Sequence, residues 1–333
     1  MNGYANPMTG TLQHDVLTAL RDPDHRISSA WLYDQHGSEL FEAITRLPSY
    51  YPTRTEIGIL DTHLPEIAAA IPANSLLVEL GSGSSRKTVP LIDALHQPAG
   101  YVPLDISADY LAEAAESLRA RFPGLPVHPR IADFTAAFDL PEDLPAHASR
   151  LGFFPGSTIG NLDAEDARDL LQHCHGLLGP DSTFLIGIDL DKSADILIPA
   201  YDDPEGVTAA FNRNLLVRIN RELQADIDPA DFRHEARYFE TPPRIEMHLV
   251  CERTTAVHVA GERFELAAGE SLHTETSHKY SIEAFTTLAA EAGWSVSDHW
   301  TDPQARFAVL LMQATNSRYN PSIISKSDRS RRP

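Results

Sequence analysis

Apolar and polar positions follow a regular pattern between about residues 60 and 195. Short apolar runs typical of buried strands alternate with stretches whose apolar residues recur at spacings of three and four, which predict amphipathic helices. The strand candidates lie at 75–80, 101–107, 127–134, 152–162 and 183–190, and the helix candidates between them lie at 87–95, 107–122 and 164–178. This alternation predicts a doubly wound α/β domain with a mostly parallel sheet and right-handed crossovers.

The pattern changes after about residue 195. From there on it predicts a long helix, an antiparallel meander, a further helix and two strands, at 207–225, 244–280, 282–293, 294–302 and 306–315. We therefore expect two domains. One consists of 60–195 plus 281–316, and the other, an α+β domain, consists of 28–59 plus 196–280 and is inserted into the first.

The balance of acidic and basic residues bears on which partners the protein can bind. The 333 residues include 47 Asp and Glu against 27 Lys and Arg, which gives a formal net charge of −20. Because binding nucleic acid over a broad surface needs clustered Lys and Arg, this balance argues against a nucleic-acid partner. The one basic cluster in the sequence lies in the tail at 317–333, which we expect to be a solvated end.

Cysteine usage and the absence of targeting signals favour the cytoplasm. Cys174 and Cys251 are too few for a disulfide framework or a zinc ribbon. The N-terminus lacks the charged start and apolar stretch of a signal peptide, and no apolar run reaches the roughly 18 residues of a membrane span. The histidines do not fall at metal-binding spacings. We expect a cytoplasmic protein with no metal and no membrane partner, and the short connections favour a monomer.

A short glycine loop follows the first predicted strand. Gly81 and Gly83 let the backbone approach a ligand at the carboxyl end of the sheet. Arg86 holds the sixth position of a dinucleotide-binding G-x-G-x-x-G motif, which disfavours NAD or FAD, and the GK[ST] ending of a phosphate-binding loop is absent. Glu79 before the loop and Asp105 at the end of the next strand instead match the arrangement that binds S-adenosylmethionine, with Asp105 on the ribose hydroxyls.

Asp133 and Phe134 end the third predicted strand, where they would bind the amino group and the ring of adenine. Taken singly, each of these signals has a simpler interpretation as a turn, a helix cap or a solvated loop. Their joint order along three successive strands favours a cofactor site.

Several longer segments carry a specific resemblance. They are LYDQHGSELFEAITRLPSYYPTR (32–54), LVELGSGSSRKT (77–88), FFPGSTIGNL (153–162), YDDPEGVTAAFNRNLL (201–216), RIEMHLV (244–250) and TETSHKYS (274–281). Together they resemble the histidine-specific methyltransferase family, which includes the L-histidine Nα-methyltransferases of ergothioneine biosynthesis, and the resemblance spans about residues 28 to 315. It implies a Rossmann-like class I methyltransferase domain with an inserted substrate-binding domain. It also implies Nα-trimethylation of L-histidine to hercynine, with S-adenosylmethionine as the methyl donor.

The resemblance also implies roles for individual residues. The cofactor positions are Gly81, Lys87, Asp105, Asp133 and Phe134. The positions that hold the α-amino and carboxylate groups are Tyr50, Asn161 and Tyr201, with the backbone of Gly156 near the amine. Tyr33 lies near the methylated nitrogen as a candidate proton route, and Asn161 would orient the amine. The imidazole is bound by Glu275 and Ser277, and Met247 lines that pocket.

The chemistry of Glu275 and Ser277 agrees with this role. Residues two apart on a strand face the same side, so the carboxylate and the hydroxyl can converge on a ring with two nitrogens. Without the resemblance, the same pair could be a solvent-facing stripe, and Tyr33 and Tyr50 could be core aromatics.

Three other functions stay open from the sequence. An N-methyltransferase of another aromatic amino acid, such as tryptophan, would use the same fold with a different side-chain pocket. A non-catalytic module that binds the amino acid or the cofactor would use the same cleft. A nicotinamide oxidoreductase is disfavoured by Arg86 in the glycine loop.

Overall fold

The computed structural model describes residues 9–83, 85–106, 108–132 and 138–315. Its α-helices are α1 (Thr9–Arg21), α2 (Gln35–Ile44), α3 (Tyr51–Ala70), α4 (Thr88–Ala94), α5 (Ala108–Arg121), α6 (Ala164–Leu178), α7 (Ala194–Tyr201), α8 (Val207–Leu223) and α9 (Ile282–Glu291). Its strands are β1 (Ser75–Leu80), β2 (Gly100–Asp105), β3 (Arg130–Ile131), β4 (Ser149–Phe154), β5 (Thr183–Asp189), β6 (Phe232–Glu240), β7 (Pro243–Cys251), β8 (Thr255–Val259), β9 (Glu262–Leu266), β10 (Ser271–His278), β11 (Trp294–Thr301) and β12 (Phe307–Ala314). Among the described helices, none combines the length and the apolar character that a membrane crossing requires.

Within the described residues, seven strands form one sheet in the order β3-β2-β1-β4-β5-β12-β11. The first five pair in parallel, and β12 and β11 add antiparallel strands at one edge. Strands β1 and β5 are buried along their whole length, as expected for apolar strands covered by helices on both faces. The prediction of a doubly wound, mostly parallel sheet is confirmed.

Two smaller sheets come from the segment between β5 and β11. One has the order β10-β7-β6 and is antiparallel, and the other is the β8–β9 hairpin. The meander predicted over 244–280 is therefore wrong in its pairing, because β10 pairs with β7 and passes over the hairpin. A two-residue turn at Ala260 and Gly261, both with positive φ, closes the hairpin on itself. Strand β6 was not predicted, since charged residues interrupt its apolar alternation.

Two other boundaries predicted from the sequence differ from those in the structure. The strand predicted over 152–162 ends at Phe154, and the chain then turns through Ser157, whose φ is 58°, into a 3-10 turn over Thr158–Asn161. The predicted domain boundary between residues 59 and 60 falls inside helix α3, which contributes to two apolar cores. The division into two domains stays a prediction.

The apolar residues form three clusters. Two lie on the opposite faces of the seven-stranded sheet, and the third joins α1, α2 and α8 to the three-stranded sheet. In helix α3, Tyr51 belongs to the third cluster, whereas Ile59 and Ile67 pack on the large sheet. The helix therefore contributes to the core on both sides of the predicted domain boundary.

Candidate active site

A cavity of about 620 Å³ lies at the carboxyl ends of β1, β2 and β4 and is closed on another side by residues of β10. The ends of parallel strands are where α/β sheets bind ligands. The predicted site residues on its wall are Tyr33, Tyr50, Gly81, Lys87, Asp105, Gly156, Asn161, Tyr201, Glu275 and Ser277. The structure therefore brings the proposed cofactor and substrate positions together around one space.

The glycine loop is tied to the end of β2. Gly81 and Gly83 have φ values of 68° and 44°, a conformation that favours glycine. The Gly81 amide donates to the Leu104 carbonyl oxygen at 2.8 Å, and the Gly83 amide donates to Asp105 Oδ2 at 3.3 Å. The loop and the Asp105 carboxylate consequently line the cavity side by side.

Two hydroxyl groups of this loop have no hydrogen-bond partner within the described part of the chain. They are the buried Oγ atoms of Ser82 and Ser85, and both residues line the cavity. Buried hydroxyls nearly always find a partner, so these two are available to a ligand. With the Asp105 carboxylate and two glycines that leave room for a close approach, this wall fits a ligand such as S-adenosylmethionine, which has both hydroxyls and an amino-acid end.

Glu79 supports the loop from the end of β1. Its carboxylate accepts hydrogen bonds from Thr88 Oγ1 at 2.8 Å and from the Tyr101 hydroxyl at 2.5 Å. Burial raises the pKa of Glu79 to about 8, although the bonds from Tyr101 and Thr88 act in the opposite direction. Glu79 therefore joins β1, β2 and the start of α4 beneath the cofactor wall.

Glu56 of helix α3 holds two residues of the wall and was missed from the sequence. Its carboxylate pairs with Lys87 Nζ at 2.5 Å and accepts the Gly156 amide at 2.9 Å. Glu56 itself is fully buried. One feature of the sequence could have identified it. Glu56 lies one turn before Ile59 and Leu60, on the buried face of the helix, where an unpaired charge is costly and a partner is therefore expected.

An aromatic wall surrounds the middle of the cavity. The Tyr33 ring meets the rings of Phe41 and Phe211 edge-on, with centroids 5.4 Å apart in each case. The Tyr50 ring lies 6.1 Å from Phe41 and 6.3 Å from Tyr201. Burial and the charge of Glu275 raise the pKa of Tyr33, so its hydroxyl keeps its proton.

Strand β10 carries the polar wall. Glu275 and Ser277 lie two residues apart and both line the cavity. The Tyr33 hydroxyl is 3.5 Å from Glu275 Oε2, and the Tyr201 hydroxyl is 2.9 Å from Ser277 Oγ. Burial raises the pKa of Glu275 to about 7, while Lys279 and the hydrogen bond from Tyr33 lower it. The wall therefore places a carboxyl group and a hydroxyl pair next to each other.

Asn161 and Met247 differ in their relation to the cavity. Asn161 ends the 3-10 turn and lies on the wall. Met247 pairs with Glu275 across the β7–β10 ladder, is 2% exposed and is not among the residues that line the cavity. Paired residues face the same side of a sheet, so Met247 packs beside Glu275 in the core. Its role in lining the imidazole pocket stays a prediction.

Asp133 and Phe134 lie outside the described residues. Their assignment to the adenine end of the cofactor stays a prediction.

Among the described residues, the Glu246, His248 and His273 side chains are close enough together to hold a metal ion, with candidate ligand atoms within 4.8 Å of one another. His248 Nε2 lies 3.0 Å from Glu246 Oε2, and His273 Nε2 lies 3.0 Å from the Glu275 carbonyl oxygen. These side chains form a hydrogen-bonded network beside β10.

Comparisons with known proteins agree with this geometry. The family model described as histidine-specific methyltransferase, SAM-dependent, matches residues 12–314. The histidine N-alpha-methyltransferase of Mycolicibacterium smegmatis is 41% identical over 312 residues, which cover 92% of this chain and 96% of that protein. The histidine N-alpha-methyltransferase of Mycobacterium tuberculosis is 40% identical over 305 residues, covering 90% and 94%. The ergothioneine biosynthesis protein 1 of Neurospora crassa is 30% identical over 290 residues, covering 84% of this chain and 32% of that protein.

The match extends over nearly all of the described chain, including the glycine loop, the aromatic wall and strand β10. The chain belongs to the family of histidine-specific, SAM-dependent methyltransferases.

Proposed function

We propose that the protein transfers methyl groups from S-adenosylmethionine to the α-amino nitrogen of L-histidine and forms hercynine, the trimethyl betaine, as the first step of ergothioneine biosynthesis. The names of relatives about 40% identical over most of the chain support this substrate. The observation that carries the proposal is one cavity that joins the glycine loop to the carboxyl group of Glu275 and the hydroxyl of Ser277.

The cofactor would be held by the wall formed by Gly81, Lys87 and Asp105. When bound, S-adenosylmethionine supplies a methyl group on a sulfonium sulfur. The Asp105 carboxylate would accept hydrogen bonds from the ribose hydroxyls, and the ammonium of Lys87 would suit the cofactor's carboxylate. Asp133 and Phe134 would complete this wall at the adenine.

The amino-acid part of the substrate would be held by Tyr50, Tyr201 and Asn161, with the backbone of Gly156 near the amine. Their hydroxyl and amide groups suit a carboxylate and an amine. Glu275 and Ser277 would take the imidazole. A site that pairs both ring nitrogens discriminates against apolar side chains, because those would leave a buried carboxyl group without a partner.

The protein's main contribution to the reaction is to align the amine with the methyl donor and to exclude water. The raised pKa of Tyr33 makes its hydroxyl a hydrogen-bond donor or a relay rather than a strong base. The rings of Tyr33, Phe41 and Tyr50, which line the cavity, suit a nitrogen that acquires a permanent positive charge, since aromatic rings attract cations without needing a hydrogen bond.

We propose a monomer, as the short connections favour, with a small-molecule substrate. The net charge of −20 supports the absence of a nucleic-acid partner. The free thiols of Cys174 and Cys251 are both buried, which is compatible with the reducing cytoplasm that we propose as its location.

The test is release of S-adenosylhomocysteine from S-adenosylmethionine with three amino acids in turn. We expect turnover with L-histidine, none with Nα-acetylhistidine, whose amine is blocked, and much less with L-tryptophan. Equal rates with histidine and tryptophan would contradict the histidine assignment. Turnover with the acetylated compound would contradict the α-nitrogen.

A further inference from the structure

Lys279 is a buried cation that lies behind the polar wall and does not line the cavity. The residue is 3% exposed. Its Nζ atom is 2.8 Å from Asp189 Oδ2, 2.7 Å from the Tyr201 hydroxyl and 2.8 Å from Ser277 Oγ. An ammonium group has three protons, so these three acceptors use all of them.

The three contacts constrain the two hydroxyl groups. Tyr201 and Ser277 each accept a proton from Lys279, and their oxygens lie 2.9 Å apart, so one of the two hydroxyls donates to the other. The two hydroxyls have two protons in total, and one of these is used in the hydrogen bond between Tyr201 and Ser277. Whichever of the two donates, the other keeps a free proton with both lone pairs occupied, and the donor itself keeps one free lone pair.

We propose that Lys279 is a positioning residue that holds the pair in one polarity, with Tyr201 donating to Ser277. Both lone pairs of Ser277 are then occupied, by Lys279 and by Tyr201, so Ser277 can only donate to the ring, while Tyr201 keeps one lone pair for the amine of the substrate. Lys279 does not touch the substrate. It acts by occupying the lone pair of Ser277 that would otherwise accept a proton from the ring.

This inference rests on the proposed function, because it assigns the ring chemistry that the wall recognises. Glu275 accepts a proton and the hydroxyl pair donates one, so the wall requires a ring with both an N–H and an acceptor nitrogen. A neutral imidazole has both groups. A pyrrole or an indole has the N–H but no acceptor nitrogen, and it would leave the donated proton buried without a partner.

The experiment compares two ligands by calorimetry on the full chain in the presence of S-adenosylhomocysteine. The ligands are L-histidine and its analogue in which pyrrole replaces imidazole. For the unmodified protein we expect tighter binding of histidine by about tenfold or more, from the cost of an unpaired buried donor. In Lys279→Met this preference should fall to within about threefold, because the hydroxyls are free to rotate and accept a ring N–H.

Lys192→Met is the matched control. Lys192 Nζ pairs with the same carboxylate, at 2.7 Å from Asp189 Oδ1, and its hydrogen bonds go to Asp189, Tyr51 and the Leu190 carbonyl. Each single variant leaves Asp189 with one lysine, so the charge lost is the same. We expect Lys192→Met to keep the preference for histidine and the affinity for S-adenosylhomocysteine.

Lys279→Leu gives a second variant should Lys279→Met fail to fold. Its side chain donates no proton to either hydroxyl, so the preference for histidine should again be lost. A full preference in either folded Lys279 variant, an equal loss in Lys192→Met, or equal binding of both rings by the unmodified protein would overturn the proposal. Because the readout is binding, a protein that binds histidine selectively but does not methylate it contradicts the proposed function and leaves the role of Lys279 supported.

Discussion

The carboxyl group of Glu275 is buried, and its surroundings determine whether it is charged. Burial raises its pKa from the ordinary 4.5 to about 7. Between these values the folded protein holds a proton that the unfolded chain has released, so the contribution of Glu275 to stability falls as the pH rises through this range. Near neutral pH, Glu275 therefore lowers the free energy of unfolding of the ligand-free protein. Such a cost is expected for a side chain whose function is to bind a ligand.

Glu275→Gln should therefore stabilise the ligand-free protein and impair binding. At about pH 8 we expect a gain of roughly 1–3 kcal/mol in the free energy of unfolding, and near pH 4 almost none, because the native carboxyl group is then neutral as well. Urea unfolding at both values measures this. Histidine affinity should fall in the same variant, since an amide is a weaker acceptor for the ring N–H.

Glu265→Gln is the control, because Glu265 lies on the hairpin strand β9 and its side chain is 62% exposed. It should leave both unfolding curves unchanged. A Glu275→Gln protein that is less stable than the unmodified one at the higher pH would contradict the account of a functional, unfavourably buried carboxyl group.

Some residues of the site can be predicted from the sequence, and others cannot because their partners lie on distant segments of the chain. Glu275 and Ser277 could be predicted as a pair because alternation along a strand places them on one side. Lys279 continues that alternation, but a lysine near the end of a strand is typically exposed, and only the fold places Asp189 beside it. Glu56 is hidden in the same way, since its partner Lys87 lies on a distant segment.

The loop between β4 and α6 is held from two sides. The Glu56 carboxylate accepts the amide of Gly156 at its start. At its end, Gly160 packs so closely on β10 that an added β-carbon would lie 2.7 Å from the His278 carbonyl oxygen. The position of Asn161 therefore depends on a contact between two backbones.

Gly160→Ala should displace this turn and with it Asn161. Backbone atoms cannot rotate away as a flexible side chain can, so the turn must move. We expect the KM for histidine to rise by about tenfold or more, because small misplacements of positioning groups are costly. The dissociation constant for S-adenosylhomocysteine should stay unchanged, since the glycine loop is not involved. Steady-state kinetics and calorimetry measure the two quantities.

Gly176→Ala is the matched control for Gly160→Ala. An added β-carbon there meets nothing within 4 Å, and the residue is in helix α6, where alanine is favoured over glycine by about 1 kcal/mol. Its activity should not change. If Gly160→Ala binds histidine as well as this control does, the contact between the turn and β10 does not position Asn161.

This segment also shows why elements are harder to delimit than to detect. The apolar run in 152–162 correctly indicates a buried strand, but the strand stops at Phe154 because the chain must turn into the cavity. Pro155, Gly156 and the positive φ of Ser157 mark that turn. The β8–β9 hairpin was likewise detected as two strands, while its separation from β7 and β10 depends on long-range pairing.

Asp189 connects the two larger sheets of the molecule. It ends β5 and accepts hydrogen bonds from the Tyr51 hydroxyl at 2.7 and 2.8 Å. It also pairs with Lys192 at 2.7 Å and with Lys279, just after β10, at 2.8 Å. Burial raises the pKa of Asp189, but the two lysines outweigh burial and hold that pKa below its usual value. Its charge is thus retained for structural reasons.

Asp189→Asn should destabilise the whole protein. Two lysines would lose their carboxylate, and breaking a buried ion pair on one side typically costs about 3–5 kcal/mol. Urea unfolding followed by circular dichroism measures the loss. Asp226→Asn serves as the control, because Asp226 pairs with His258 on the surface and its side chain is 58% exposed. The control should show no measurable change, and an equally stable Asp189→Asn protein would contradict the connecting role.

The overall architecture was the most predictable feature. Strand–helix alternation determines a doubly wound sheet almost by itself, and the break in the pattern near residue 195 marks where the chain leaves that sheet. The boundary near residue 60 could not be found in this way, because helix α3 runs through it and packs on both sides. The net charge of −20 argues against a nucleic-acid partner but does not locate a site.

The central claim is that the α-nitrogen of histidine receives the methyl groups. The most direct measurement is tandem mass spectrometry of the product formed by the purified protein from L-histidine and S-adenosylmethionine. We predict a product with three added methyl groups, all lost with the α-amino fragment, and an unmodified imidazole fragment. Methyl groups on the imidazole fragment, or no methylated histidine from protein that binds the cofactor, would contradict the account.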